Sequence, residues 1–209
     1  MSIRTDDVAG FSRRTFLGLA CATLASAAEP IIDIHQHTNY HDRPDDQLVV
    51  HQAKMGVAMT VLLPAGSKYG LAANCGGNDS VVALAKQHPD NYVYFANELP
   101  DIPETKTVIE KYLNAGAIGI GEQKFHVECD SPAMQLVFDI AKAHGVPVLM
   151  HFQHDTYNMG FERFYKMVAK YPTVGVLVAG RFASVPQPTP DVPLNGDVGL
   201  FCCPEPLSV

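Results

Sequence analysis

Residues 31–37 read Ile-Ile-Asp-Ile-His-Gln-His, an apolar run that ends in two imidazoles one residue apart. On an extended backbone, residues two apart face the same side, so His35 and His37 can present ring nitrogens to one ion. A carboxylate, Glu122, follows a second apolar run at residues 117–120, and a third imidazole, His151, follows a run at 146–150. Two or three histidines plus a carboxylate, with a position left open for water, suit a catalytic divalent ion, zinc first. Such an ion moves the pKa of its water towards neutrality and polarises a carbonyl or phosphoryl oxygen. Lys124, His126 and His154 lie just beyond Glu122 and His151 and are candidates for the wall of a substrate pocket. The other histidines of the segment, His41, His51, His88 and His144, fall on linkers or helix ends and read as structural or exposed.

These groups need elements to hold them. Apolar, β-branched runs recur at residues 31–34, 59–63, 92–96, 117–120, 146–150 and 174–178. Helical periodicity lies between them: Met134, Val137, Phe138 and Ala141 fall at i, i+3, i+4 and i+7, as do Phe161, Phe164, Tyr165 and Val168. Ser131-Pro132 reads as a helix cap with a first-turn proline, and Gly145 as a stop. The breakers Gly56, Pro89, Gly116, Gly145 and Pro172 are 27 to 33 residues apart, one βα unit each. Alternation at that period implies parallel strands with helices outside them. An open doubly wound sheet and a (β/α)8 barrel both satisfy the pattern. A doubly wound nucleotide binder places a glycine-rich turn after its first strand. Here the first strand runs into His-Gln-His, which favours a barrel, whose site lies at the C-terminal ends of its strands.

The chain has 209 residues, a net charge of −7, and no cluster of basic residues beyond its first positions. That excludes a nucleic-acid footprint, which requires positive charge. With 47% hydrophobic and 18% charged residues the composition is that of a soluble globular protein. Residues 1–28 have the layout of a twin-arginine-type export signal: Arg13-Arg14, an apolar stretch from Phe16 to Leu24, then Ala25-Ser26-Ala27-Ala28. The apolar stretch is too short for a permanent membrane anchor. The expected location is therefore periplasmic or secreted. None of Cys75, Cys129, Cys202 and Cys203 falls in a C-x-x-C pair, which argues against a thiolate zinc site.

The segments IIDIHQH, GIGEQKFHVECDSP and PVLMHFQHDTYNMGFERFYKMVAKYPTV resemble the amidohydrolase superfamily, in particular its amidohydrolase-related branch of metal-dependent hydrolases. The resemblance covers residues 31–174. It implies His35 and His37 as metal ligands of the first strand and His151 as that of the fifth. Glu122 takes the catalytic position at the end of the fourth, where some relatives carry a carboxylated lysine or a glutamate; Lys124 is the weaker candidate for that role. The branch includes decarboxylases, so the implied function is metal-activated water acting on an ester, lactone or amide, or a metal-assisted decarboxylation, with a small-molecule substrate.

The resemblance also implies a sixth-strand histidine and an eighth-strand aspartate, but residues 175–209 hold no histidine, and their aspartates, Asp191 and Asp197, stand among prolines. The expected organisation is an export signal over 1–28, a partial barrel over 29–174 with about five βα units and a sixth strand, and a divergent, irregular, Pro-rich tail over 175–209. An incomplete barrel of this kind exposes sheet edges that an oligomer could cover. Two other readings remain: a non-catalytic remnant of such an enzyme, and an exported α/β ligand-binding domain with incidental histidines.

Overall fold

The structure, a computed structural model, describes residues 29–67, 74–180 and the backbone of 198–202. The export signal expected over residues 1–28 and most of the tail lie outside the described residues. Six strands alternate with five helices in the expected order. They are β1 (Ile31–Gln36), α1 (Asp45–Lys54), β2 (Val57–Leu62), α2 (Asn78–Gln87), β3 (Tyr92–Tyr94), α3 (Thr105–Asn114), β4 (Ile120–Gln123), α4 (Pro132–His144), β5 (Val148–Phe152), α5 (Phe164–Lys170) and β6 (Val176–Gly180). The tail expected to be irregular holds one further strand, β7 (Val198–Cys202), parallel to β6. Among the described residues no helix is long and apolar enough to cross a membrane.

The strands pair in parallel with their chain neighbours in two ladders, ordered β1-β2-β3 and β4-β5-β6-β7. A parallel bridge between Ala96 and Ile120 joins the ladders, with Ala96 N–H donating to Gly119 O and Gly121 N–H to Ala96 O, each at 2.9 Å. The result is a singly wound wall, as in an (β/α)8 barrel, and the strand order excludes the doubly wound alternative. Among the described residues the wall does not close: β1 and β7 each have a strand on one side only.

Two apolar layers fix which way the strands face. One contains strand or strand-end residues alone, Val61, Leu63, Phe95, Leu149 and Ala179, with Ile34, Val93 and Leu177 against them. This is the inner face of the wall, where alternate residues of successive strands meet. The larger cluster joins the opposite strand faces, including Leu62, Tyr94, Val148, Met150 and Val178, to helix residues such as Leu48, Val81, Ile109 and Phe138. His151 lies two residues beyond Leu149 on β5 and so shares the inner face.

Helix α4 forms as its sequence dictates: Ser131 Oγ accepts from Met134 N at 3.2 Å, Pro132 opens the first turn, and Gly145 ends the helix at φ 65°. Its periodic residues Met134, Val137, Phe138 and Ala141 are fully buried. The second periodic set is only partly realised. Residues 161–163 form a 3-10 turn, which rotates the following helix so that Phe164 and Met167 are buried and Tyr165 is 50% exposed.

Strand β4 comes close to β5 through Gly121, whose φ is +140° and whose missing Cβ would lie 2.5 Å from Leu149 O. The register shifts between Ile120 and Gln123 at the same place, so Glu122 is delivered next to β5 by a strand that only glycine lets approach. Gly121→Ala is expected to destabilise the chain by about 1–3 kcal/mol through that clash. Gly145→Ala, also at positive φ but with open space around the new methyl, should cost only about 1 kcal/mol. Denaturant unfolding measures both, and a Gly121→Ala loss no larger than that of Gly145→Ala would contradict the close approach.

Candidate metal centre

β1, β4 and β5 bring His35, His37, Glu122 and His151 together at the C-terminal ends of the strands. Glu122 is at the centre, with the residue 1% exposed. Its Oε2 lies 3.4 Å from His35 Nε2 and 3.6 Å from His37 Nε2, and its Oε1 accepts from His151 Nδ1 at 2.7 Å. Among the described residues, the ligand atoms of His35, His37 and Glu122 form one group within 4.8 Å of one another. His151 stands behind that group, bonded to the carboxylate.

The surroundings settle the protonation of two of the rings. His37 Nδ1 is 2.8 Å from Leu63 O, and a carbonyl can only accept, so Nδ1 carries the proton and Nε2 carries the lone pair. Burial pushes the His37 pKa down to about 4 against the pull of Glu122, so the ring is neutral at pH 7. Burial alone would raise the Glu122 carboxyl, but hydrogen bonds from His151 and His35, and their charge, hold it well below the usual carboxylate range. His151 therefore donates through Nδ1, and its Nε2 is a buried atom with no partner.

These facts test whether a metal ion fits. His37 Nε2 and Glu122 Oε2 are two electron-pair donors facing each other at 3.6 Å, an arrangement that repels unless a cation lies between them. Bonds of about 2.1 Å in a tetrahedral zinc site place neighbouring donor atoms about 3.4 Å apart. The observed 3.4 and 3.6 Å separations match that spacing. Among the described residues the ion-pair partners of Glu122 are these three histidines, with no lysine or arginine. The donor set fits a divalent cation.

The supporting contacts come from residues whose role the sequence did not reveal. Arg43 donates from Nη2 to His37 O at 2.8 Å, and the Tyr40 ring stacks on His37 at 5.6 Å. Asp33 accepts from His35 N, Gln36 Nε2 and Gln52 Nε2, which holds β1 where its register departs from regular pairing. Two buried asparagines act as stitches. Asn97 Nδ2 donates to Pro64 O at 2.9 Å and to Glu122 O at 2.8 Å, tying the end of β2 to β4. Asn158 Nδ2 donates to Gln123 O at 2.6 Å and to His151 O at 2.8 Å, tying β4 to β5 where Glu122 meets His151.

The three pocket candidates are placed differently. Lys124 is half-buried, with Nζ 5.5 Å from the centre of the Tyr157 ring. His126 is exposed and bonds Thr156 O through Nδ1 at 2.9 Å. His154 is exposed and paired with its neighbour Asp155 at 3.0 Å.

No protein-family model and no curated protein matches the sequence. Solved structures do match in shape. An uncharacterised TIM-barrel protein of Bordetella bronchiseptica superposes with a TM-score of 0.59 at 15% identity, over 72% of this chain and 66% of that one. 5-Carboxyvanillate decarboxylase of Sphingomonas paucimobilis gives 0.54 at 11% identity, over 73% and 68%. 2,6-Dihydroxybenzoate decarboxylase from Rhizobium gives 0.51 at 11%, over 72% and 66%. The chain shares the TIM-barrel fold of these proteins. The two decarboxylases are members of the amidohydrolase superfamily, which the motifs of this chain resemble. This chain spans about two thirds of the length of these proteins.

The buried His37 and Glu122 make the metal-free chain acid-sensitive. Between about pH 6.5 and 4 the unfolded chain takes up a proton on His37 that the folded chain refuses, so stability is full above 6.5 and falls as the pH drops. The low pKa of Glu122 adds stability above the ordinary carboxylate value of 4.5, which is lost below it. The expected slope from His37 is about 1.4 kcal/mol per pH unit across its window. Unfolding midpoints from pH 8 to 4.5 should be flat above 6.5 and fall below it, and His37→Gln should flatten the upper part of that fall. A wild-type midpoint that stays level down to pH 4.5 would contradict the assignment.

Proposed function

We propose that this chain is a metal-dependent hydrolase of the amidohydrolase-related kind, acting with water on a carbonyl-type bond. What carries the reading is the convergence of His35, His37 and Glu122 donor atoms within 4.8 Å at the C-terminal ends of parallel strands. The fold neighbours support the general kind. His35, His37 and Glu122 would hold the ion, zinc by the borderline softness of two imidazoles and a carboxylate. A divalent ion bound there supplies a Lewis acid that activates water and polarises a carbonyl oxygen.

The chain's own groups do the rest. The Leu63 carbonyl holds the His37 ring in the tautomer that offers Nε2. His151 Nδ1–H fixes one oxygen of Glu122 and leaves the other to the ion. With Nδ1–H committed to Glu122, the lone pair of His151 Nε2 is left to take the proton from water and return it to the leaving group. Burial of Glu122, His37 and His151 keeps bulk water from competing at these atoms.

Metal analysis of the purified chain tests the site: about one zinc per chain is expected, and His35→Ala and His37→Ala should each lose most of it. His151→Gln should retain the metal and lose activity about 100-fold or more, as loss of a general base does. Unchanged metal content in both alanine variants would remove the site; metal lost from His151→Gln would make His151 a ligand. A second reading, metal-assisted decarboxylation, draws on the two decarboxylases of the same fold. Turnover on a panel of esters, lactones and aromatic carboxylates separates the two, and a folded, zinc-loaded chain inactive on all of them would be a metal-binding relative without turnover.

A further inference from the structure

Asn158 carries two local costs. Its φ is 46°, in the left-handed region, and its buried side-chain Oδ1 has no partner among the described residues. Glycine would remove both costs, so what the position uses is the other half of the amide. Nδ2 donates to Gln123 O at 2.6 Å and to His151 O at 2.8 Å, and because carbonyls only accept, the amide can face them in one way. One of these carbonyls belongs to the neighbour of Glu122 and the other to His151 itself. The β4–β5 ladder shifts register between Ile120 and Gln123, so regular pairing does not set the place of Glu122. Asn158 is in turn held by the segment after β4. Its N donates to Phe125 O at 3.0 Å, Met159 N to Val127 O at 2.9 Å and Cys129 N to Met159 O at 2.8 Å. Arg163 adds ion pairs to Glu128 and Asp130 of that segment. The loops thus fix residue 158, and its amide fixes the two strands.

We propose that Asn158 is a positioning residue of the metal centre: it holds β4 against β5 so that His151 takes one oxygen of Glu122 and leaves the other to the ion. This rests on the metal-centre reading given above and adds to it a residue that acts through backbone carbonyls alone. His151 Nδ1 meets Glu122 Oε1 at 2.7 Å, while Oε2 faces His35 and His37. A hydrogen bond of that length tolerates little displacement of either partner. Without the bridge His151 drifts from the carboxylate, Glu122 is free to turn, and both of its oxygens become available to one ion.

The test uses the full chain, first without metal. The His151 Nδ1 proton, buried and bonded to a carboxylate, should give a downfield proton resonance slow to exchange with water, and His151→Gln identifies it by removing it. Asn158→Asp keeps the size of the side chain but sets carboxylate oxygens against the two carbonyls. Asn158→Gly removes the side chain and suits the backbone angle, so it keeps the comparison open if the aspartate variant does not fold. Each should speed exchange of that proton about tenfold or more. Arg163→Gln loosens the same loop without touching the strand carbonyls; it should lower the unfolding midpoint and leave the exchange within about twofold of wild type. Loaded with cobalt(II), wild type and Arg163→Gln should share one visible absorption spectrum, and Asn158→Gly should give that of His151→Gln, since both free the second oxygen of Glu122. Unchanged proton exchange in folded Asn158→Gly overturns the proposal. So does equal acceleration in Arg163→Gln, which would make Asn158 an anchor of its loop and nothing more. A wild-type chain that takes up no cobalt overturns the metal-centre reading instead, and the exchange comparison, which needs no ion, still decides whether Asn158 sets the Glu122–His151 bond.

Discussion

A carboxylate out of contact with water is the constraint around which this structure is built. Glu122 is 1% exposed, and removing a charge from water costs several kcal/mol unless opposite charge or hydrogen bonds replace the solvent. Here the replacement comes from imidazoles: hydrogen bonds from His151 and His35, with their charge, offset the burial, while His37 is neutral at pH 7. The residues around it are arranged accordingly. Gly121 brings the strand in close, Leu63 O turns the His37 lone pair towards it, and Asn97 holds its backbone carbonyl. The resulting donor set is one that a divalent cation fits.

The strand wall does two jobs with one alternation. Its inner residues, such as Val61, Phe95 and Leu149, fill the space beneath the site, while the outer ones anchor the helices. Because the inner layer is apolar up to the level of Leu149, the polar cluster begins one inward-facing position later, at His151. There the amide groups of Asn97 and Asn158 add to the strand pairing by bridging carbonyls of neighbouring strands and strand ends. Such bridges matter more where, among the described residues, β1 and β7 each have a strand on one side only.

Much of this was legible in the residues themselves. The apolar beat with its glycine and proline stops places every strand up to β6, and the two-residue spacing of His35 and His37 puts them on one ion's side. Strand limits were less legible. The runs end where polar residues begin, whereas β1, β4 and β5 continue through His35, Glu122 and His151, because paired backbone extends into the polar cluster. The stitches could not be read at all. An asparagine after a strand is ordinary loop composition, and the partners of Asn97 and Asn158 reach 33 and 35 residues away in the chain. Tyr165 was misplaced because the 3-10 turn before α5 shifts the helical phase, and no residue announces that turn. In the tail, the prolines masked Val198–Cys202, five residues that pair with β6.

The order of strands in the wall is the order of strands in the chain, and this gives the centre a direction in time. During synthesis β1 emerges first, carrying two imidazoles that have nothing to oppose them until β4 arrives with its carboxylate. His151 follows on β5, and Asn158 closes the arrangement a few residues later. Each addition docks on the strand just made, so no long-range threading is required. Among the described residues, every group that touches Glu122 has thus been laid down before β6 begins.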